Sequence, residues 1–262
     1  MPEAPPLLLD MRGVTVVRGE RVALDNVSLQ IAEGEHVAIL GPNGCGKSTL
    51  IKTITRELYP LPDESTSVRI MGRDRWDVFE LRRHLGIVSH DLMSSSTQRI
   101  RGLDLVLSGF FSSIGIWPNH QVTEEMRRKA HEALARLDVD HLGQQYVTQM
   151  SSGEARRLLL ARALVHDPRA LLLDEPSTSL DLTAQRELSA AMRSLARSGV
   201  GILLVTHHLA DIIPEIDRVI LLRQGRVMAD GAKELVLTGD RLSHLFERRV
   251  DLARRDGYYH AW

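Results

Sequence analysis

The chain has 262 residues, with 33 lysines and arginines against 34 aspartates and glutamates, so its formal net charge at pH 7 is −1. A charge this close to zero argues against a general nucleic-acid binder and against a binder of membrane surfaces. The single cysteine excludes an internal disulfide, and no apolar run approaches the roughly 20 residues needed to span a bilayer, which predicts a chain that does not cross a membrane alone.

The N-terminal part of the chain has the pattern of a β-sheet. Residues 6–32 alternate apolar and polar side chains, with turn-forming residues near 18–20 and 25–26. Alternation with a period of two is typical of half-buried strands. We therefore predict a short antiparallel sheet, followed by a strand at His36–Leu40.

The segment after this strand is the most informative in the chain. From Gly41 to Ser48 it matches the pattern G-x-x-x-x-G-K-[ST] of a phosphate-binding loop, here called the P-loop. Its glycines let the backbone turn its amides toward one point, Lys47 can reach the β- and γ-phosphates, and the Ser48 hydroxyl can ligate Mg²⁺. A helix predicted from Lys47 to Leu58 adds the positive end of its dipole. We predict that a nucleoside triphosphate is bound by Gly41, Pro42, Asn43, Gly44, Cys45, Gly46, Lys47, Ser48 and Thr49.

Strands and helices alternate along the rest of the chain. A strand pair is predicted near 68–71 and 85–88, and the apolar runs at 170–173 and 201–205 are typical of strands buried on both faces. From about 91 to 149 the spacing is helical, as in 124–137, and another helix is predicted at about 155–166. The predicted fold class is α/β: a P-loop NTPase core with a mostly parallel sheet, an N-terminal antiparallel β subdomain and a helical insert.

Two adjacent carboxylates follow the apolar run at 170–173. A buried strand places such residues at the carboxyl end of the sheet, where ligands of α/β proteins bind. Asp174 can hold Mg²⁺, directly or through water, and Glu175 can orient and polarise an attacking water. The alternative is a pair of solvated acids at a strand end. The P-loop favours the first interpretation, because Mg²⁺ needs oxygen ligands.

Three further segments indicate the family. Met150–Glu154 precedes a long helix and resembles the signature motif of the ATP-binding cassette (ABC) superfamily, usually Leu-Ser-Gly-Gly-Gln, which Ser151 and Gly153 match. Ser177–Asp181 is similar to the family's D-loop, and Val205–His207 is similar to the segment that carries its switch histidine. All these elements occur in the family's order, so the chain is identified as a member of the ABC ATPase family.

This resemblance implies a mechanism. In the family, two cassettes pack head to tail with two ATP molecules between them. Ser151 and the Gly153 amide would meet the γ-phosphate held by the other subunit, and His207 would contact that same phosphate. Glu175 and His207 are then the catalytic residues. Asp181 is expected to arrange the subunit interface, with a plain helix N-cap as the alternative.

Three positions depart from the family's pattern. The aromatic residue that stacks on adenine aligns with Arg18; a guanidinium can stack on a base, and a solvated turn arginine is the other interpretation. The Q-loop glutamine aligns with His90, which joins Ser48 and Asp174 in the predicted metal site. Because imidazole is a poorer Mg²⁺ ligand than an amide oxygen, contact of His90 with water instead of the metal stays open. Glu154 replaces the signature glutamine and is expected to point away from the γ-phosphate.

A single cassette without a membrane span resembles the separate ATPase subunit of a bacterial importer. Residues 102–117 also resemble the corresponding stretch of metal-chelate importer ATPases, and its three aromatic residues are either core or exposed to a partner: Phe110, Phe111 and Trp117. The resemblance implies two partners, a transmembrane permease subunit and a second copy of the chain or a similar cassette, and no nucleic acid. It also implies a cytoplasmic, peripheral location on the inner face of the cell membrane.

We expect one ABC ATPase domain over residues 1–262, with a core at 1–90 and 150–262 and a helical subdomain at 91–149. Its predicted function is to bind and hydrolyse ATP with Mg²⁺ as a head-to-tail dimer and to drive transport, import in particular, through a separate membrane subunit. The alternative is a soluble ABC ATPase without a transporter, acting on nucleic acid or ribosomes. Such proteins carry long coiled-coil inserts, zinc modules or two cassettes, whereas this chain has one P-loop, one signature motif and one cysteine.

Overall fold

The computed structural model describes residues 5–89 and 99–262. The chain divides into two compact units: residues up to Val78 together with Gly201–Trp262 form the first, and Phe79–Val200 form the second. In the ranges described, no helix has both the length and the apolar character that a membrane span requires.

The first unit begins with a three-stranded antiparallel sheet. Strand β1 (Leu7–Arg18) pairs with β2 (Arg21–Ala32) on one side and with β4 (Ser67–Ile70) on the other. The turn predicted near 18–20 is confirmed, but the one predicted near 25–26 is wrong. Asn26 has a φ of +50° inside β2, where the pairing register shifts, because an irregularity can absorb a turn-prone residue without ending the strand.

The first unit also holds a mostly parallel group of strands. Strand β3 (His36–Leu40) lies between β7 (Gly201–Thr206) and β8 (Arg218–Arg223), parallel to both, and β9 (Arg226–Ala232) pairs antiparallel with β8. Every residue of β7 is buried, as its continuous apolar run predicts.

The helices of the first unit are short. Helix α1 (Lys47–Ile54) is shorter than predicted, because Arg56 adopts a φ of +63° and its guanidinium donates a hydrogen bond to the Val68 carbonyl at 2.6 Å. This unit also contains a 3-10 turn (Leu209–Asp211), α7 (Lys233–Val236), α8 (Gly239–Phe246) and a C-terminal hairpin of β10 (Leu252–Arg255) and β11 (Tyr258–Ala261).

The second unit combines a parallel strand pair with helices. Strand β5 (Leu85–Val88) pairs with β6 (Ala170–Asp174), so the predicted pairing of residues 85–88 with residues 68–71 is wrong. The helices are α2 (Val78–His84), α3 (Gly102–Leu107), α4 (Glu124–Ala135), α5 (Ser152–Leu164) and α6 (Leu182–Arg197). The α/β class, the parallel strands and the antiparallel N-terminal sheet agree with the sequence prediction.

Candidate functional site

The P-loop connects the end of β3 to the start of α1. Gly44 and Gly46 have φ values of +75° and +112°, in the left-handed region that favours glycine. Gly46 is the N-cap of α1, and having no side chain it leaves the first turn without a side-chain cap. A Cβ on Gly46 would lie 2.5 Å from the Ala23 carbonyl oxygen. The loop therefore needs glycine here for its backbone angle and for its close packing.

Lys47 is held by the P-loop itself. Its side chain is buried, and Nζ donates hydrogen bonds to the carbonyl oxygens of Gly41 at 2.8 Å and Pro42 at 3.1 Å. Burial of an ammonium group is costly unless such acceptors compensate for lost water. The loop thus keeps a positive charge next to the uncapped start of a helix, and both features favour an anion.

The nine predicted nucleotide-binding residues differ in exposure. Asn43, Gly44 and Ser48 are exposed, whereas Gly41, Cys45, Lys47 and Thr49 are buried, and Pro42 and Gly46 are half-buried. The exposed Ser48 hydroxyl lies in the first turn of α1, and a neutral oxygen donor is the kind of ligand that Mg²⁺ accepts. The glycine-lined loop, the ammonium group and the hydroxyl together fit a magnesium–triphosphate group.

Backbone hydrogen bonds to the ends of β7 and β8 hold the P-loop in place. The Gly41 amide donates to the Thr206 carbonyl at 3.2 Å, and the Gly225 amide, between β8 and β9, donates to the Cys45 carbonyl at 2.8 Å. A Cβ on Gly41 would lie 2.3 Å from the Leu222 carbonyl oxygen. The sequence prediction missed Gly225, because its partner Cys45 lies far away along the chain. A glycine in a short turn between two apolar runs was the local signal.

Cys45 occupies a position where a reactive thiol would be expected, beside a helix N-terminus and a lysine. The structure instead buries the side chain, which is 4% exposed. We expect iodoacetamide to label native Cys45 at least about tenfold more slowly than in the urea-unfolded chain, because the loop must open first. Mg-ATP should slow the labelling further. Mass spectrometry of timed samples measures both rates, and native labelling as fast as unfolded labelling would contradict the burial.

The arginine that reaches the P-loop is a neighbour of the one predicted. Arg18 ends β1 and is exposed. Arg21 lies opposite Arg18 in the hairpin register, and its Nη2 donates to the Gly44 carbonyl at 3.5 Å. The sequence prediction missed Arg21; cross-strand register in the predicted hairpin was the signal that could have found it.

His207 follows β7 in the same unit as the P-loop. The preceding residue, Thr206, pairs with Leu40 at the end of β3, directly before the P-loop. The Thr206 hydroxyl donates to Asp211 at 2.6 Å and accepts from the His208 amide at 3.0 Å, which fixes the turn that carries His207. The His207 and His208 rings lie 3.7 Å apart.

The two predicted acids lie at the end of β6 in the second unit. Asp174 is the last residue of the strand, and Glu175 has a φ of +49°. A glutamate in the left-handed region costs about 1–3 kcal/mol and is a frequent mark of a functional site. The Glu175 carbonyl accepts from the Thr178 amide at 3.2 Å, so the strand ends in a tight turn.

The signature motif and the D-loop are packed together in the second unit. Ser151 is the N-cap of α5 and Asp181 is the N-cap of α6, where its carboxylate accepts from the Ala184 amide at 2.8 Å. A Cβ on Gly153 would lie 2.8 Å from the Ala184 Cβ, so glycine permits this close approach. Arg156 on α5 donates to the Thr178 carbonyl of the D-loop at 3.1 Å. Asp181 thus caps α6.

The Glu154 side chain turns back toward the signature serine. Its Oε2 accepts hydrogen bonds from the Ser151 amide at 2.8 Å and from the Ser151 hydroxyl at 2.9 Å, while the Glu154 amide donates to Ser151 Oγ at 3.2 Å. This arrangement is a capping box. The two hydrogen bonds from Ser151 lower the pKa of the Glu154 carboxyl group, so it is ionised at neutral pH.

The predicted site residues therefore fall into two groups. Arg18, the P-loop and His207 belong to the first unit, and the signature motif, the two acids and Asp181 belong to the second. His90 lies outside the described residues.

Comparison with known proteins identifies the family. The family model described as "ABC transporter" matches residues 24–178, more than half of the chain. The chain belongs to the ABC transporter family. The ABC membership predicted from the P-loop, signature motif, D-loop and switch histidine is thus confirmed.

Individual ABC proteins support this assignment. The cobalt import ATP-binding protein CbiO of Syntrophus aciditrophicus is 32% identical over 84% of this chain and 75% of its own length. The hemin import ATP-binding protein HmuV of Hahella chejuensis is also 32% identical, over 89% of this chain and 90% of its own. Among solved structures, the dimeric ABC cassette MJ0796 bound to ADP and Pi is 27% identical with a TM-score of 0.68, over 86% of this chain and 98% of that one.

Proposed function

We propose that the chain is the ATP-binding subunit of an ABC importer, which hydrolyses ATP as a head-to-tail dimer to drive transport through a separate membrane subunit. The observation that carries this proposal is the P-loop, with left-handed glycines at 44 and 46 and a buried Lys47 held at the loop. The cobalt- and hemin-import relatives support transport in the import direction.

The roles of the site residues follow from their chemistry. Lys47 and the P-loop amides bind the phosphates, and Ser48 and Asp174 offer oxygen atoms to Mg²⁺, which neutralises charge on the phosphates when it is bound. Glu175 orients the attacking water and accepts its proton. His207 contacts the terminal phosphate, and the turn fixed by Thr206 and Asp211 sets its position.

The dimer completes the site. Ser151 and the Gly153 amide, at the N-terminus of α5, meet the terminal phosphate bound by the second copy, and Asp181 lies at the interface between copies. The dimeric ADP- and Pi-bound relative supports this assembly. Arg18 is proposed to stack on the adenine, because it aligns with the family's aromatic residue, while Arg21 contacts the P-loop at the Gly44 carbonyl. For His90 we propose from the sequence alone the role of the Q-loop glutamine, through contact with Mg²⁺ or with its water. Residues 1–262 form one ABC ATPase domain, with residues 91–149 as its helical subdomain.

The membrane partner is proposed to dock on a segment of the second unit, residues 108–120, here called the docking segment. Phe111 stacks on His120 at 4.1 Å, and Phe110 packs edge-on against His166 at 5.0 Å, so both phenyl rings are half-buried. Burial and two nearby cations lower the pKa of His166 to about 4, which keeps its ring neutral. Trp117, in contrast, is 56% exposed.

Trp117 is therefore the aromatic side chain of this segment that is available to a partner. The buried Arg162 donates to the Ser113 carbonyl at 2.8 Å and to Ser108 Oγ at 3.3 Å, which fixes the segment on α5. A fixed segment presents an exposed indole at little entropic cost. Through this contact the cassette would be held peripherally on the cytoplasmic face of the membrane.

Trp117→Ala should release the chain from native membranes. We expect the affinity of the chain for these membranes to fall at least about tenfold. Truncation of an aromatic anchor at an interface commonly costs about 2 kcal/mol or more. Sedimentation of the chain with membranes from its own cell measures the effect. The melting temperature should change by less than about 2 °C, since the side chain is exposed.

Trp262→Ala is the matched control, because Trp262 is 71% exposed and belongs to the first unit. It should leave membrane retention unchanged. Equal release by both variants, or full retention of Trp117→Ala, would show that the docking segment is assigned wrongly. Identification of the proteins that co-purify with the extracted chain then tests the transporter itself.

A further inference from the structure

The signature serine, Ser151, is hydrogen-bonded to the Glu154 carboxylate of the same motif. Glu154 Oε2 lies 2.8 Å from the Ser151 nitrogen and 2.9 Å from Ser151 Oγ. Ser151 is exposed, whereas Glu154 is half-buried. One carboxylate oxygen therefore accepts from both hydrogen-bond donors of an exposed serine.

The chemistry of the two side chains determines which group donates and which accepts in these hydrogen bonds. A hydroxyl group has one proton to donate, and an ionised carboxylate can only accept. In the 2.9 Å contact Ser151 must therefore be the donor, while its oxygen accepts from the Glu154 amide at 3.2 Å. The only hydroxyl proton of the signature serine is committed to Glu154.

A phosphate oxygen also can only accept a hydrogen bond from serine. If the proposed function is correct, the Ser151 hydroxyl must donate to the terminal phosphate bound by a second copy, and the bond to Glu154 must first break. The Glu154 carboxylate also adds a negative charge close to the place where that phosphate arrives. We propose that Glu154 is a positioning residue that withholds the Ser151 proton and so raises the ATP concentration needed to form the dimer.

The substitution Glu154→Gln tests this directly. Glutamine also forms a capping box, so the start of α5 should stay folded. A neutral amide oxygen accepts a weaker hydrogen bond from the serine than a carboxylate does, because charge-assisted bonds are roughly twice as strong. We expect the ATP concentration at half-maximal dimerisation to fall about fivefold or more, with ATP binding to the monomer unchanged.

The measurement uses the Glu175→Gln background, in which turnover does not consume the dimer. Sedimentation velocity over an ATP–Mg²⁺ titration gives the dimer fraction with and without Glu154→Gln. Glu187→Gln is the matched control: the Glu187 carboxylate pairs with Arg157 at 3.2 Å and would lie 3.7 Å from a Cβ on Gly153, yet it has no hydrogen bond to Ser151. The control should leave the dimerisation midpoint within about twofold.

A double-mutant cycle separates the bond from the charge. In a Ser151→Ala background, Glu154→Gln should shift the midpoint by less than about twofold, because no hydroxyl proton remains to be released and only the loss of the negative charge acts. A shift of the same size with and without the serine would overturn the proposal, as would a shift equal to that of Glu187→Gln. If the parent binds ATP but never dimerises, the proposed function itself fails, and the role of Glu154 fails with it.

Discussion

Replacement of Glu175 by glutamine should lower ATP turnover at least about a hundredfold while ATP binding is retained. Loss of a general base commonly costs that much, and a glutamine amide cannot accept the proton of the attacking water. The backbone of Glu175 is held at a φ of +49° directly after β6, so the side chain starts from a fixed position that a glutamine can share. The variant should accumulate as an ATP-bound dimer.

Phosphate release measures the turnover, and size-exclusion chromatography with and without ATP measures the dimer. Glu187→Gln serves as a control, since it removes another carboxylate of the second unit, one that pairs with Arg157 and has no proposed role in catalysis. Its turnover should stay within about twofold of the parent. Near-parental turnover in Glu175→Gln would remove the residue from the catalytic assignment.

Replacement of Gly46 by alanine should abolish ATP binding and lower the melting temperature by about 6 °C or more. The new Cβ would lie 2.5 Å from the Ala23 carbonyl oxygen and 3.2 Å from Leu24 Cδ2, at a φ of +112°. Strain at the backbone angle costs about 1–3 kcal/mol, and the clash with backbone adds to it. For a chain of this size each kcal/mol corresponds to about 2–4 °C.

Gly19→Ala separates the clash from the backbone strain. Gly19 has a φ of +60°, and no atom lies within 4 Å of a Cβ built on it. This variant should lose about 1–2 kcal/mol from the angle alone and bind ATP normally. Differential scanning fluorimetry gives the melting temperatures, and nucleotide binding is followed by isothermal titration calorimetry. A Gly46→Ala variant as stable as Gly19→Ala and competent for ATP would contradict the packing of the P-loop against β2.

The nature of the site could be predicted from the sequence because its chemistry is local. The spacing of glycine, lysine and serine in the P-loop, and the two acids after an apolar run, are set by neighbours along the chain. The same holds for the strands at His36–Leu40, Ala170–Asp174 and Gly201–Thr206, whose apolar runs identify them almost to the residue. The family assignment followed from the order of these motifs and is confirmed.

Contacts between residues that are distant in sequence were decided only by the tertiary structure. The strand Ser67–Ile70 pairs with β1 and not with the next strand along the chain. The pairing depends on which sheet edge the chain meets after the loop that precedes residue 67, and the local sequence does not specify that edge. Three further features also depend on the tertiary structure. They are the hydrogen bond from the Gly225 amide to the Cys45 carbonyl, the contact of Arg21 with Gly44, and the exposure of Trp117 beside two half-buried phenylalanines.

Glu154 shows most clearly what the sequence determines and what the tertiary structure decides. The sequence by itself determined that a carboxylate replaces the signature glutamine, and its charge suggested a side chain directed away from the γ-phosphate. The fold makes Ser151 the N-cap of α5, so the carboxylate finds two donors one helical turn back. Residue types and their spacing thus determined what this protein can bind. The hydrogen bonds that each polar group makes were decided by the tertiary structure, because a buried or half-buried group takes whichever partner the packed backbone places within reach.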